Sequence, residues 1–115
     1  MALAQLISTP QSPFELQAWG FANMAHHRDI IRQIQATKGI SLQILDAGTL
    51  DPNDPDGYEA FLLNNETMHL QMDAALGVAA NNLSYVDWQD PNALAQWIFL
   101  HAQEHIKAAQ MLGVA

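Results

Sequence analysis

The chain contains no cysteine, so disulfides and thiolate metal sites are excluded and the redox compartment leaves no mark on it. Positive charge is scarce. Four Lys plus Arg stand against twelve Asp plus Glu, for a net charge of -8. Arg28, Arg32, Lys38 and Lys107 are scattered, whereas holding a phosphate backbone takes clustered cations. Direct nucleic-acid binding is therefore not expected, nor is binding to an anionic membrane. Long hydrophobic runs are also missing. Met1 to Ser8 is mildly apolar but lacks a basic flank and is too short for a signal peptide or a spanning helix. The expectation is a soluble protein made in the cytoplasm. No Gly-rich phosphate loop, nucleophile elbow or Ser/His/Asp arrangement is present, so neither an enzymatic activity nor a cofactor is expected.

Half of the 115 residues are hydrophobic and only 14% are charged. That composition builds one core, which predicts a single domain over 12–115 behind an N-terminal arm, 1–11. The small charged fraction leaves an uncharged surface suited to subunit contacts.

One pattern occurs three times. Ser12-Pro13, Asp54-Pro55 and Asp90-Pro91 each open a segment. Six residues after each proline stands an aromatic: Trp19, Phe61, Trp97. Four later comes Asn23, Asn65 or His101, and four later again His27, His69 or His105. Apolar residues continue the stripe on both sides: Leu16, Tyr58, Leu94 before it, and Ile30, Met72, Ala108 after it. Steps of three and four make a helical seam. Ser and Asp before Pro suit helix starts, Gly39 suits a C-terminal left-handed turn, and the third helix is expected to stop at Gly113. The fold class expected is all-α: an antiparallel three-helix bundle of about 13–38, 55–80 and 91–112, with an extended N-terminal arm and a long first connection. Alternation at Ile40, Leu42 and Ile44 predicts a short strand in that connection. Asp46, Asp51, Asp54 and Asp56 crowd its end, but their spacing fails the EF-hand pattern. Tyr85, Val86 and Trp88 are expected to fold over the end of the bundle.

The centre of each seam is polar where a core should be apolar. In an up-down-up bundle, His27, Asn65 and His105 share one layer and Asn23, His69 and His101 the next. Buried polar groups must be satisfied. One solution is a hydrogen-bonded His/Asn belt (Asn23, His27, Asn65, His69, His101, His105) that locks helix register, as a buried asparagine does in a coiled coil. The alternative is one transition-metal ion (zinc, iron or nickel) on His27, His69, His101 and His105, with Glu66, Glu104 and His26 nearby. Histidines spaced by four present two nitrogens to one ion, and Glu66 with His69 has the Glu-x-x-His spacing of di-iron bundles.

Two resemblances follow. Trp97-x3-His101-x3-His105, with His69 as an earlier histidine, resembles the last-helix motif of DinB-like and hemerythrin-like bundles, which implies a metal centre. Met68-His69, Met72, Leu76-Gly77, Val86-Asp87-Trp88, Trp97 and Glu104-His105 resemble short helical proteins encoded in the virion gene clusters of tailed bacteriophages. That resemblance implies a non-enzymatic structural subunit (connector, neck or minor capsid component) whose partners are copies of itself and other virion proteins. The leading expectation is such an assembly protein, virion-associated, with the belt as its lock; the alternative is the metal-binding bundle.

Overall fold

The computed structural model describes residues 2–46 and 48–113. It is all-helical, with α1 (Ala2–Leu6), α2 (Pro13–Lys38), α3 (Pro55–Leu76) and α4 (Pro91–Leu112). Each long helix starts as the sequence dictates. Ser12 Oγ accepts the Glu15 N–H, Asp54 Oδ1 accepts the Gly57 N–H, and Asp90 Oδ1 accepts those of Asn92 and Ala93. The proline follows at the first helical position, where no N–H is needed. The second helix ends at Leu76 rather than near 80. Gly77 turns left-handed there at φ 71°, and its N–H closes on Asp73 O.

The expected antiparallel order is wrong. The three long helices run parallel, with their prolines at one end. One apolar cluster joins the first turns of all three: Leu16 and Trp19 of α2, Tyr58, Phe61 and Leu62 of α3, Leu94, Trp97 and Ile98 of α4. A second joins their last turns: Ile30, Ile31 and Ile34, then Met68, Met72 and Leu76, then Ala108. The long axis of the molecule is 39 Å, the length of the 26-residue α2 alone at about 1.5 Å per residue. The helices therefore lie side by side, and equivalent stripe positions meet at one level.

Parallel neighbours need long returns. Residues 39–54 and 77–90 supply them; at about 3.3 Å per residue either can span a 22-residue helix of about 33 Å. Each runs from the far cluster back to the near one. Leu42 and Leu45 pack on the far cluster and Leu50 is buried in the near one. Val78 repeats the first role, and Leu83 and Val86 the second. Tyr85 is exposed, so only part of that segment covers apolar side chains. No strand forms at Ile40–Ile44 among the described residues, because the segment packs on helices and meets no strand partner.

Each return lies in a groove between two helices. Leu50 sits over Gly20 of α2, and Gly48, at φ 85°, lies so close to the Gly57 and Phe61 backbone of α3 that no Cβ fits. The second return bonds α3 and α4 at once: Leu83 O accepts the Trp97 indole N–H at 3.1 Å, and Val86 O accepts the Tyr58 hydroxyl at 2.5 Å. The N-terminal segment fills the third groove, between α4 and α2. Residues 2–6 are helical rather than an extended arm, since Ala, Leu and Gln favour helix. Leu6 is wholly buried and its carbonyl accepts the Trp19 indole N–H at 3.3 Å, matching the bond at Trp97. The repeat is thus a segment with a buried leucine (Leu6, Leu50, Leu83) followed by a helix, three times around an axis.

Parallel order is directly testable. With no native cysteine, Asn92→Cys takes a single nitroxide. Asn92 follows Pro91, which lines one cleft with Pro13. The label is expected to broaden the amide signals of Phe14 to Leu16 and to spare those of Gln35 to Lys38. The opposite pattern would restore the antiparallel bundle.

Candidate metal centre

The parallel register redistributes the polar belt. The upper layer holds Asn23, Asn65 and His101; the lower holds His27, His69 and His105, one from each helix. All six are 0–1% exposed. Asn23 Nδ2 donates to Asn65 Oδ1 at 2.9 Å, and His101 Nε2 lies 3.4 Å from the same oxygen. The His101 ring stacks on Trp97 at 4.9 Å between centroids and also packs on Trp19. The aromatic layer therefore roofs the centre and presses His101 down onto the three lower histidines.

The four imidazoles meet through one atom each. Nε2 of His27 lies 2.9 Å from that of His69 and 3.0 Å from that of His105, and His69 to His105 is 3.1 Å. These three form a nearly equilateral triangle. His101 Nε2 stands 3.0 Å from that of His69, as an apex from the layer above. Four nitrogens bonded to one zinc at about 2.0–2.1 Å stand about 3.3 Å apart. The observed edges fall within a few tenths of an ångström of that tetrahedron.

Hydrogen bonding does not account for this convergence. Each Nε2 offers either one N–H or one lone pair, so four of them make at most two hydrogen bonds. Four short contacts are present. The outer nitrogens sharpen the point. His69 Nδ1 lies 3.0 Å from Glu104 Oε1, an acceptor that keeps the ring proton on Nδ1. Its Nε2 then carries a lone pair into the cluster. His105 Nδ1 lies 2.5 Å from His26 Nδ1; in the tautomer in which His105 donates, its Nε2 lone pair also faces inward, 3.1 Å from that of His69, and two lone pairs at that distance repel unless a cation lies between them. Nor is the belt satisfied within itself: Asn23 Oδ1, Asn65 Nδ2, His27 Nδ1 and His101 Nδ1 are buried without partners among the described residues, at about 1–3 kcal/mol each. A purely hydrogen-bonded lock fits the geometry poorly.

The surrounding charge is arranged to match. Burial, then the neighbouring imidazoles, holds His27, His101 and His105 well below the ordinary histidine value, so these rings are neutral and able to ligate. Burial pulls the Glu104 carboxyl upward, but the bond from His69, the adjoining Asp73 and the Asn81 N–H outweigh it and hold Glu104 well below the usual carboxylate range. Asp73 goes the other way, raised first by burial and then by Glu104. Glu104 is thus the one negative charge placed against a ligand, through a ring that transmits it. Asn81 fixes its other oxygen through both backbone and side-chain N–H, at 2.9 and 3.1 Å.

Of the candidate ligands read from the sequence, His27, His69, His101 and His105 converge. His26 and Glu104 stand behind them, each on one ligand. Glu66 does not join: its Oε2 accepts the Leu83 N–H at 2.6 Å and ties down the second return segment. Asn23 and Asn65 roof the site beside His101. Sequence reasoning missed Asp73 and Asn81, which support Glu104. Asp73 is i+4 from His69, on the same helix face, and that spacing was the available signal. The chain matches no family model, no curated protein and no solved structure. No described helix is long and apolar enough to cross a membrane.

The histidines make metal-free stability depend on pH. The unfolded chain takes up their protons near pH 6.5, whereas the folded rings resist until lower pH. Their contribution is present above about 6.5 and lost as pH falls. In the presence of a chelator the protein is expected to melt at a lower temperature at pH 5.5 than at pH 7.5. Equal melting temperatures would place the rings in water.

Proposed function

We propose that this protein is a metal-binding helical bundle in which one divalent zinc ion, held by Nε2 of His27, His69, His101 and His105, fastens three parallel helices at the waist. The observation that carries this reading is the convergence of four buried imidazole Nε2 atoms, three of them in a triangle with edges of 2.9–3.1 Å and the fourth 3.0 Å from one corner. Zinc is favoured because a set of four converging imidazole nitrogens suits its lack of geometric preference. Calcium, magnesium and manganese want oxygen ligands, and copper(II) and nickel(II) favour flatter arrangements. The ligands are 1% exposed or less and all four positions are protein nitrogens. A closed set of that kind is a structural site, in contrast to catalytic zinc, which keeps a position for water. The role proposed is therefore mechanical and non-enzymatic.

The metal replaces the hydrogen-bonded lock as the means of fixing register. Three long helices share one narrow seam, and its centre is polar. An ion bound there stabilises only the folded arrangement. At one hundred times its dissociation constant it adds about 2.7 kcal/mol.

Dialysed protein is expected to hold one zinc per chain by elemental analysis. Cobalt(II) in its place should give the intense visible absorption of a tetrahedral nitrogen site. Glu104→Gln keeps an acceptor for His69 but removes the charge, and is expected to weaken zinc binding tenfold or more. Absence of any stoichiometric ion, with full stability after chelation, would return the belt to a hydrogen-bonded role.

A second reading, as a subunit of a larger assembly of the virion type, rests on the outer surface. Eight residues after each proline stand Phe21, Leu63 and Phe99, and all three are exposed, at 69, 64 and 61%. Large apolar side chains on every side of a bundle suit burial against other subunits. Light scattering at high concentration is expected to exceed the 12.7 kDa of one chain. A strict monomer that also ignores any co-expressed partner would remove this reading.

A further inference from the structure

A site with four buried ligands needs a way in, and the threefold repeat shows where the wall differs. The residue before each lower-layer histidine occupies one equivalent position: His26, Met68 and Glu104. Each leans toward the histidine of a neighbouring helix or lies in the groove beside it. Glu104 bonds His69 and His26 bonds His105. In two grooves a return segment seals this position from outside with a backbone N–H. Leu45 donates to Met68 Sδ at 3.4 Å, and Asn81 donates to Glu104 Oε2 at 2.9 Å. Met68 is 1% exposed and Glu104 2%.

The third groove, between α4 and α2, is built differently. Among the described residues no backbone N–H bonds His26, which keeps 7% of its surface exposed. The covering segment is the five-residue α1 and the irregular stretch that follows it. A cleft of about 360 Å³ opens between that stretch and α4, with Ile7 on one side and Ala102 and Ile106 on the other. Ala102 and Ile106 flank His105 along the helix. The cleft is not itself lined by an imidazole, but among the five His26 is the one that combines 7% exposure with a contact to a proposed ligand, the others being 0–1% exposed.

We propose that the metal ion reaches and leaves the centre through this α2–α4 groove, and that His26 binds it in passage and hands it to His105. The inference rests on the metal reading above. A fifth imidazole on the solvent side gives a partly dehydrated ion a nitrogen ligand before the four inner ones close on it. The same ring, once the ion is seated, accepts the His105 Nδ1 proton and holds that ligand's orientation. Neither Met68 nor Glu104 serves this purpose, because each lies under a hydrogen-bonded strap.

The test compares exchange rates with equilibrium affinity. Zinc uptake by the stripped chain, and zinc release from the loaded chain to a chromophoric chelator, are followed in the wild type, His26→Leu and His26→Gln. The expected result is that both rates fall at least tenfold in His26→Gln, whose side-chain oxygen can still accept the His105 Nδ1 proton, with the dissociation constant within about threefold of wild type; in His26→Leu uptake falls as far, while loss of the acceptor also weakens binding. Unchanged rates overturn the route. Faster release with weaker binding and unchanged uptake also overturns it, since His26 then only orients His105. Loosening the strap over Met68 with Leu45→Gly is expected to leave both rates alone; faster exchange there places the route in the other groove. A wild-type chain that takes up no zinc overturns the metal reading itself, and that outcome is distinct from every rate result.

Discussion

Four imidazole nitrogens meeting within about one bond length of a common point is the constraint on which the rest depends. To bring them there, three helices have to lie at the same height, run in the same direction and turn the same face inward. The height is set by the repeated proline and its capping residue, which start each helix at an equivalent place. The direction is set by the return segments, which carry the chain the full length of the bundle before each new helix. The inward face is set by the apolar clusters above and below the belt. Trp19, Phe61 and Trp97 hold the upper end, while Ile34, Met72 and Leu76 hold the lower. Remove any of these and the nitrogens separate.

The departures from threefold symmetry carry the chemistry. At the upper belt position two helices have asparagine and the third has His101. That single difference adds a fourth nitrogen, 3.0 Å from His69 Nε2, to the triangle below. One position before the lower histidines, the three helices carry His26, Met68 and Glu104. Glu104 brings a negative charge to one ligand, His26 brings a ring that reaches solvent, and Met68 brings neither. His27 Nδ1 is accordingly left without a partner among the described residues. A symmetric shell would have supplied three identical supports; the actual one divides the roles among them.

The buried centre also explains the charge distribution around it. A divalent ion held there would add positive charge to a low-dielectric interior, which is costly without compensation. Glu104, bonded to the His69 ring, would offset part of it. Asp73, forced to keep its proton beside Glu104, adds no second charge. The other ten acidic side chains still outnumber the four basic ones, which favours the approach of a cation over that of an anion.

Composition and spacing by themselves determined the three long helices, their starts, and the six belt residues that face inward, though not the end of the second helix at Gly77. Those features are local: a proline, a capping oxygen and a step of three or four act within one helix. They also named the four histidines as one group. Helix direction was decided only by the tertiary structure, because a seam with steps of three and four reads equally well up or down. Returns of 16 and 14 residues are long enough for either order. The layer partners changed with the direction: His69 joined His27 and His105, and Asn65 moved up to Asn23 and His101. Glu66, promising by its spacing from His69, faces a return segment instead. Which rings touch depends on how separate rods are docked, and that is fixed by packing between residues far apart in the chain.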